Sequence, residues 1–74
     1  PAVKQLGDIE YIKQNAGIDS LPENLKEMAL LRLEYPDTPL KELGTYLDPP
    51  VGKSGVNHRL RRISEIADEL REKE

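Results

Sequence analysis

Apolar residues in this 74-residue chain recur three or four positions apart in four separate runs, and proline or glycine stands between each run and the next. That spacing is the period of a helix with one buried face, and no alternating strand pattern, repeat or low-complexity tract interrupts it. The sequence therefore predicts a small all-α domain of four helices. The first runs from about Ala2 to Ala16 with Val3, Leu6, Ile9, Ile12 and Ala16 as its stripe, and Gly17 stands where a left-handed C-terminal cap belongs. Ser20 and Glu23 match a capping box for the second helix, with Pro22 in its first turn. Leu25, Met28, Ala29, Leu30, Leu31 and Leu33 make that helix apolar on most of its circumference, which predicts the central position in the bundle. Tyr35-Pro36 ends it, because proline disfavours helical geometry in the residue before it.

Thr38 is the expected cap of the third helix and Pro39 its first residue, with Leu40, Leu43 and Leu47 as its buried edge. Gly44 costs this helix about 1 kcal/mol relative to alanine, so a close crossing with the next helix is expected there. Asp48-Pro49-Pro50-Val51-Gly52 makes a stiff turn. The fourth helix is read from a cap at Ser54 to about Lys73, with Lys53 just before it and Val56, Leu60, Ile63, Ala67 and Leu70 on its buried stripe.

With three Tyr and no Phe or Trp, aliphatic side chains must make the core. A chain this short hides only about 60% of its unfolded surface, so that core is thin. There is no cysteine, hence no disulfide or thiolate metal site, which fits a reducing cytoplasm. No apolar run approaches the roughly 20 residues of a membrane span. The chain opens on Pro1 rather than Met and is expected to be a piece of a larger protein: one domain over 1–74, with an N-terminal helix in 1–19 and a helix-turn-helix core in 20–74.

A net charge of −3 argues by itself against nucleic acid. The distribution argues the other way. Residues 1–48 hold five bases and nine acids, and residues 65–74 two bases and five acids, whereas 49–64 hold Lys53, Arg59, Arg61 and Arg62 and no acid. One basic block between two acidic ones is a footprint for a polyanion. On a helical projection Ser54, His58, Arg61 and Glu65 lie opposite the buried stripe, within about 140–200° of Val56, with Arg62, Gly55 and Asn57 beside them. Asn reads adenine, Arg reads guanine, and Ser and Lys grip backbone oxygens. Gly55 would let the helix start approach a phosphate closely. Past Arg62 the same face turns to Glu65, Asp68, Glu69 and Glu72, so only the first half of the helix suits a groove.

Plainer readings stand beside this one. Arg59-Leu60-Arg61-Arg62 also fits a solvated face paired with nearby acids, such as Glu65 four residues after Arg61. His58 alone suits a polar surface residue better than a metal ligand, and no metal or cofactor is expected. Tyr11, Tyr35 and Tyr46 read as half-buried packing residues rather than a stacking platform for single strands. The chain has one His, no Cys and no Gly-rich phosphate loop, so an enzyme is not expected.

Three stretches carry a family resemblance: Leu21-Pro22-Glu23-Asn24-Leu25, Pro39-Leu40-Lys41-Glu42-Leu43-Gly44, and the run from Leu47 through Lys53-Ser54-Gly55-Val56-Asn57-His58-Arg59 to Ile63. They resemble the C-terminal domain of the WhiA family, sporulation and cell-division regulators of Gram-positive and related bacteria. The resemblance covers essentially the whole chain, the first helix least distinctively. It implies a domain similar to region 4 of sigma factors, preceded in the full protein by a domain like a LAGLIDADG homing endonuclease without its cleavage activity. It also implies promoter binding, transcriptional control and a cytoplasmic, nucleoid-associated protein, with Lys53–Arg62 matching the family's recognition-helix motif. The turn before that helix is longer than the roughly three or four residues usual in the motif and carries two prolines.

The sequence thus points to sequence-specific double-stranded DNA binding. Helix four enters the major groove with Lys53, Ser54, Gly55, Asn57, His58, Arg59, Arg61 and Arg62, and helix three braces the backbone through Thr38 and Lys41. The alternative is a protein-docking module that contacts RNA polymerase or a sigma factor through the same basic patch.

Overall fold

The computed structural model describes residues 2–73, without the side chain of Ala2; Pro1 and Glu74, the ends of the expected 1–74 domain, lie outside the described residues. Helix α1 (Ala2–Asn15) is followed by a short 3-10 turn at Ile18–Ser20, then α2 (Glu23–Glu34), α3 (Leu40–Thr45) and α4 (Lys53–Glu72). Among the described residues there is no strand, and no helix is long and apolar enough to cross a membrane.

Ile9 and Ile12 carry the buried stripe of α1. Its two ends depart from the expected pattern: Val3 is 82% exposed and Ala16 is also exposed, because the stripe runs past its packing partners at both ends. Gly17 stops the chain from continuing. It sits at φ 84°, a conformation that costs a side-chain-bearing residue dearly, and its N–H donates to the Ile12 carbonyl at 2.9 Å.

The central helix is α4, not α2. At 20 residues α4 is long enough for α1, α2 and α3 all to pack on it, and Val56, Leu60, Ile63 and Ala67 along one stripe are almost fully buried. Helix α2 buries Leu25, Met28 and Ala29 but leaves Leu30 47% exposed. An apolar circumference showed the helix to be buried somewhere, not that it lies in the middle.

All three predicted N-terminal caps move. Ser20 does not cap α2: it lies in the 3-10 turn, and its hydroxyl donates back to the Gly17 carbonyl at 2.7 Å. The cap is Pro22, at φ −54° and ψ 149°. Thr38 likewise does not cap α3, whose cap is Pro39 at φ −60° and ψ 151°. A proline ring fixes φ near −65°, which serves the cap position as well as the first helical one; only ψ separates them. Ser54 is not the cap of α4, which starts one residue before it at Lys53 with Gly52 as cap.

Two buried charges brace the bundle. The Asp8 carboxylate, 2% exposed, accepts from Lys4 Nζ at 2.9 Å and from Arg71 at 2.8 Å. Burial pushes its pKa up, but hydrogen bonds from Ser64, Lys4 and Arg71 outweigh this and hold it below its ordinary value. Arg71 also lies 4.6 Å above the Tyr11 ring, so the cluster ties α1 to the second half of α4. Arg32, 4% exposed, donates from Nε to Gln5 at 3.0 Å and from one terminal nitrogen to the carbonyls of Thr38 at 2.7 Å and Tyr35 at 3.1 Å. Burial lowers its pKa, which Asp37 partly offsets; the guanidinium remains a cation and pins the α2–α3 connector to α1.

Candidate nucleic-acid interface

The basic block occupies the first half of α4, and the connector before it fixes where that half starts. Gly44 in α3 accepts from the N–H of Leu47 at 3.3 Å and of Val51 at 3.0 Å. A Cβ on Gly44 would collide with the Val51 carbonyl oxygen and come within 2.9 Å of Val56 Cγ2. The close approach expected at Gly44 is therefore present, and most of it is the Val51 backbone of the connector rather than α4 itself. Leu47, 4% exposed, anchors the other end of the segment, and the Asp48–Pro49 peptide is cis. The long, proline-bearing turn is a folded strap held at both ends.

From that strap α4 leaves with Lys53, Ser54, Asn57, His58, Arg61 and Arg62 exposed. Starting the helix at Lys53 brings that lysine inside it and moves Asn57 and His58 into the second turn. Arg59 is half-buried on the flank nearer the core. Gly55 is half-buried too, and a Cβ there would lie 2.5 Å from Val51 Cγ1. Its small size thus has an internal reason, the seat of Val51, beside the outward one read from sequence. Lys41 is exposed in the first turn of α3 and Thr38 is half-buried just before it, its carbonyl taken by Arg32. α3 packs on α4, so both elements belong to one unit.

Several cations elsewhere are committed to internal partners, and most of those at the start of α4 are not. Lys4 and Arg71 are committed to Asp8, Lys26 to Asp19 and Arg32 to carbonyls. Among the described residues Lys53, Arg59 and Arg61 make no ion pair, while Arg62 meets Glu65 at 3.2 Å. The Arg61–Glu65 pairing suggested by spacing does not form; the i, i+3 partner takes its place. No acid lies in the first turn of α4 and no side chain caps its amides. Positive side chains beside the positive end of a helix are unfavourable until an anion arrives.

Tyr35 and Tyr46 are more open than expected, at 38% and 43% exposure. They pack on each other at 4.8 Å between ring centroids, and the Tyr46 hydroxyl donates to Glu42 at 2.7 Å, which raises its pKa. Sequence reasoning missed Arg32 and Asp8. The signals were present: Arg32 stands four residues after Met28 on the buried edge of α2, and Asp8 adjoins Ile9 four residues after Lys4.

Comparison with known proteins agrees with this geometry. The family described as the WhiA C-terminal HTH domain matches residues 1–67. A "Probable cell division protein WhiA" of Clostridium novyi (strain NT) is 63% identical over 70 residues, covering 95% of this chain and 22% of that protein. One from Thermoanaerobacter sp. (strain X514) is 60% identical over 72 residues, covering 97% and 23%. The crystal structure of full-length DUF199/WhiA from Thermatoga maritima superposes with a TM-score of 0.86 at 40% identity, over 92% of this chain and 23% of that one. The chain therefore spans about a fifth of the length of these relatives. Fold, strap and sequence together place it in the WhiA family, as the family's C-terminal helix-turn-helix domain.

Proposed function

We propose that this domain binds double-stranded promoter DNA sequence-specifically and so serves transcriptional regulation, with the first half of α4 in the major groove. One observation carries the reading. In a chain with net charge −3, the start of α4 gathers four cations with no acid among them and leaves most of them without a carboxylate partner, whereas Lys4, Lys26 and Arg71 are paired. Surplus acid could have neutralised the block, and only Arg62 is met. The ten residues from Lys53 to Arg62 span about 15 Å of helix, comparable to the roughly 12 Å width of the major groove. Asn57, His58 and Arg61 would face base edges, while Lys53, Ser54, Gly55 and Arg62 would take phosphates. Arg59 would reach the backbone from its flank, and Lys41, with Thr38 before it, would brace the adjacent strand from α3.

In this reading residues 1–74 form one functional unit of a longer, cytoplasmic, nucleoid-associated protein. The remainder would include the LAGLIDADG-like N-terminal domain that the resemblance implies. Titrating duplex DNA at two salt concentrations tests the core claim, because phosphate contacts make log K fall steeply with log salt. Reversing Arg61 and Arg62 to Glu together should abolish binding and leave helicity intact. A folded double mutant with unchanged affinity overturns the proposal.

A further inference from the structure

We infer that Glu65 is an internal competitor for DNA phosphate at Arg62, an autoinhibitory contact that holds down the affinity of the basic block. This deepens the reading of α4 as the DNA-facing helix and rests on it. Glu65 is the first carboxylate met along α4, and it takes the last cation of the acid-free segment. The two groups are 3.2 Å apart with side chains 47% and 55% exposed, one turn apart and therefore on neighbouring parts of the outward face. A phosphate approaching that face meets Lys53 and Arg61 without an internal partner among the described residues, but must displace a carboxylate to reach Arg62. The displaced Glu65 is then left beside the phosphate it lost to, which subtracts nearly one charge from the protein's effective neutralising count. A pair this exposed contributes little to folding, so its removal changes binding without unfolding the chain.

The test is a salt titration of random-sequence duplex with the native chain, Glu65→Gln, Arg62→Gln, the double variant, and Glu72→Gln. Glu72 lies on the same face about 10 Å further along, near the screening length at 0.1 M salt. Glu65→Gln should bind about three- to fivefold more tightly at 0.1 M salt, with a log–log slope steeper by about 0.9. Glu72→Gln should bind as the native chain does, and Glu65→Gln should gain clearly less once Arg62 is Gln, because only the direct repulsion of the phosphate is then relieved. Unchanged binding in Glu65→Gln, an equal gain in the Arg62→Gln background, or an equal gain from Glu72→Gln overturns the competition. A native chain that binds no duplex at either salt overturns the DNA-binding reading, and this one with it.

Discussion

Between Lys53 and Arg62, α4 carries four cations and no carboxylate; between Glu65 and Glu72 it carries four carboxylates and one cation. Both halves bury the same stripe, Val56 and Leu60 in the first, Ile63 and Ala67 toward the second. They are held differently. The second half is tied down by charge, through Arg71 to Asp8 and Asp68, with its acids toward the end of the chain. The first half is held by packing and by the hydrogen-bonded Gly44–Val51 strap, and its cations are left largely unpaired, with Lys53 in the first turn, where a positive charge is least favourable. A helix built only for stability would reverse that arrangement, placing acid first and base last. Both halves break the dipole rule, but only the second answers it internally, through Arg71 and its two carboxylate partners; if the proposed function holds, the uncompensated first half is where binding displaces stability as the constraint.

The largest effect should come from breaking the strap. Gly44→Leu forces a side chain into the Val51 backbone and Val56, and overpacking against backbone should cost about 3 kcal/mol. A thermal melt checks it: a Tm equal to the parent's removes the close-approach argument.

Breaking the tie of the second half should cost somewhat less. Asp8→Asn leaves Lys4 and Arg71 without their shared carboxylate and with one acceptor oxygen in place of two, and about 2 kcal/mol of stability should be lost. The pH dependence follows from the lowered pKa of Asp8 in the folded chain. Its contribution is fully present above the ordinary value of 3.8 and is lost as pH falls through the lower folded value. The parent should therefore lose Tm more steeply in acid than Asp8→Asn. Parallel Tm profiles for the two proteins would show that the cluster adds nothing.

How much of this was legible beforehand follows the same division. Helix existence, the buried stripe of α4 and the tight place at Gly44 were readable, because periodicity and a costly glycine report directly on packing. The N-terminal caps were not, since proline at Pro22 and Pro39 satisfies two adjacent positions with one φ, whereas the C-terminal cap at Gly17 was. The hub was not, since Leu30 counts as apolar whether or not a neighbour covers it. Arg32 was hidden because a charged residue in an apolar run looks exposed until connector carbonyls are there to accept from it. At the interface the acid-free block was plain in sequence, but the exchange of Arg61 for Arg62 as partner of Glu65 depended on rotamers that spacing does not fix.

The subtlest effect divides the first half of α4 against itself, into residues that specify sequence and residues that only hold on. Asn57 and His58 are exposed in the second turn, where a recognition helix turns its side chains toward base edges. Lys53 opens the helix and is better placed for the backbone. Asn57→Ala should then cost about 1–3 kcal/mol on the preferred site and little on random duplex, lowering the ratio between them. Lys53→Ala should weaken both by a similar factor and reduce the salt slope by about one. Both side chains are exposed, so both variants should melt with the parent, and any change belongs to binding. The strap sets the rotation of α4 through Val51, and a small rotation would shift base reading away from Asn57 and toward Arg59 and Arg61. Competition binding separates these outcomes. If Asn57→Ala weakens specific and random DNA equally, Asn57 is a backbone contact, and base reading passes to Arg59 and Arg61 further along the helix.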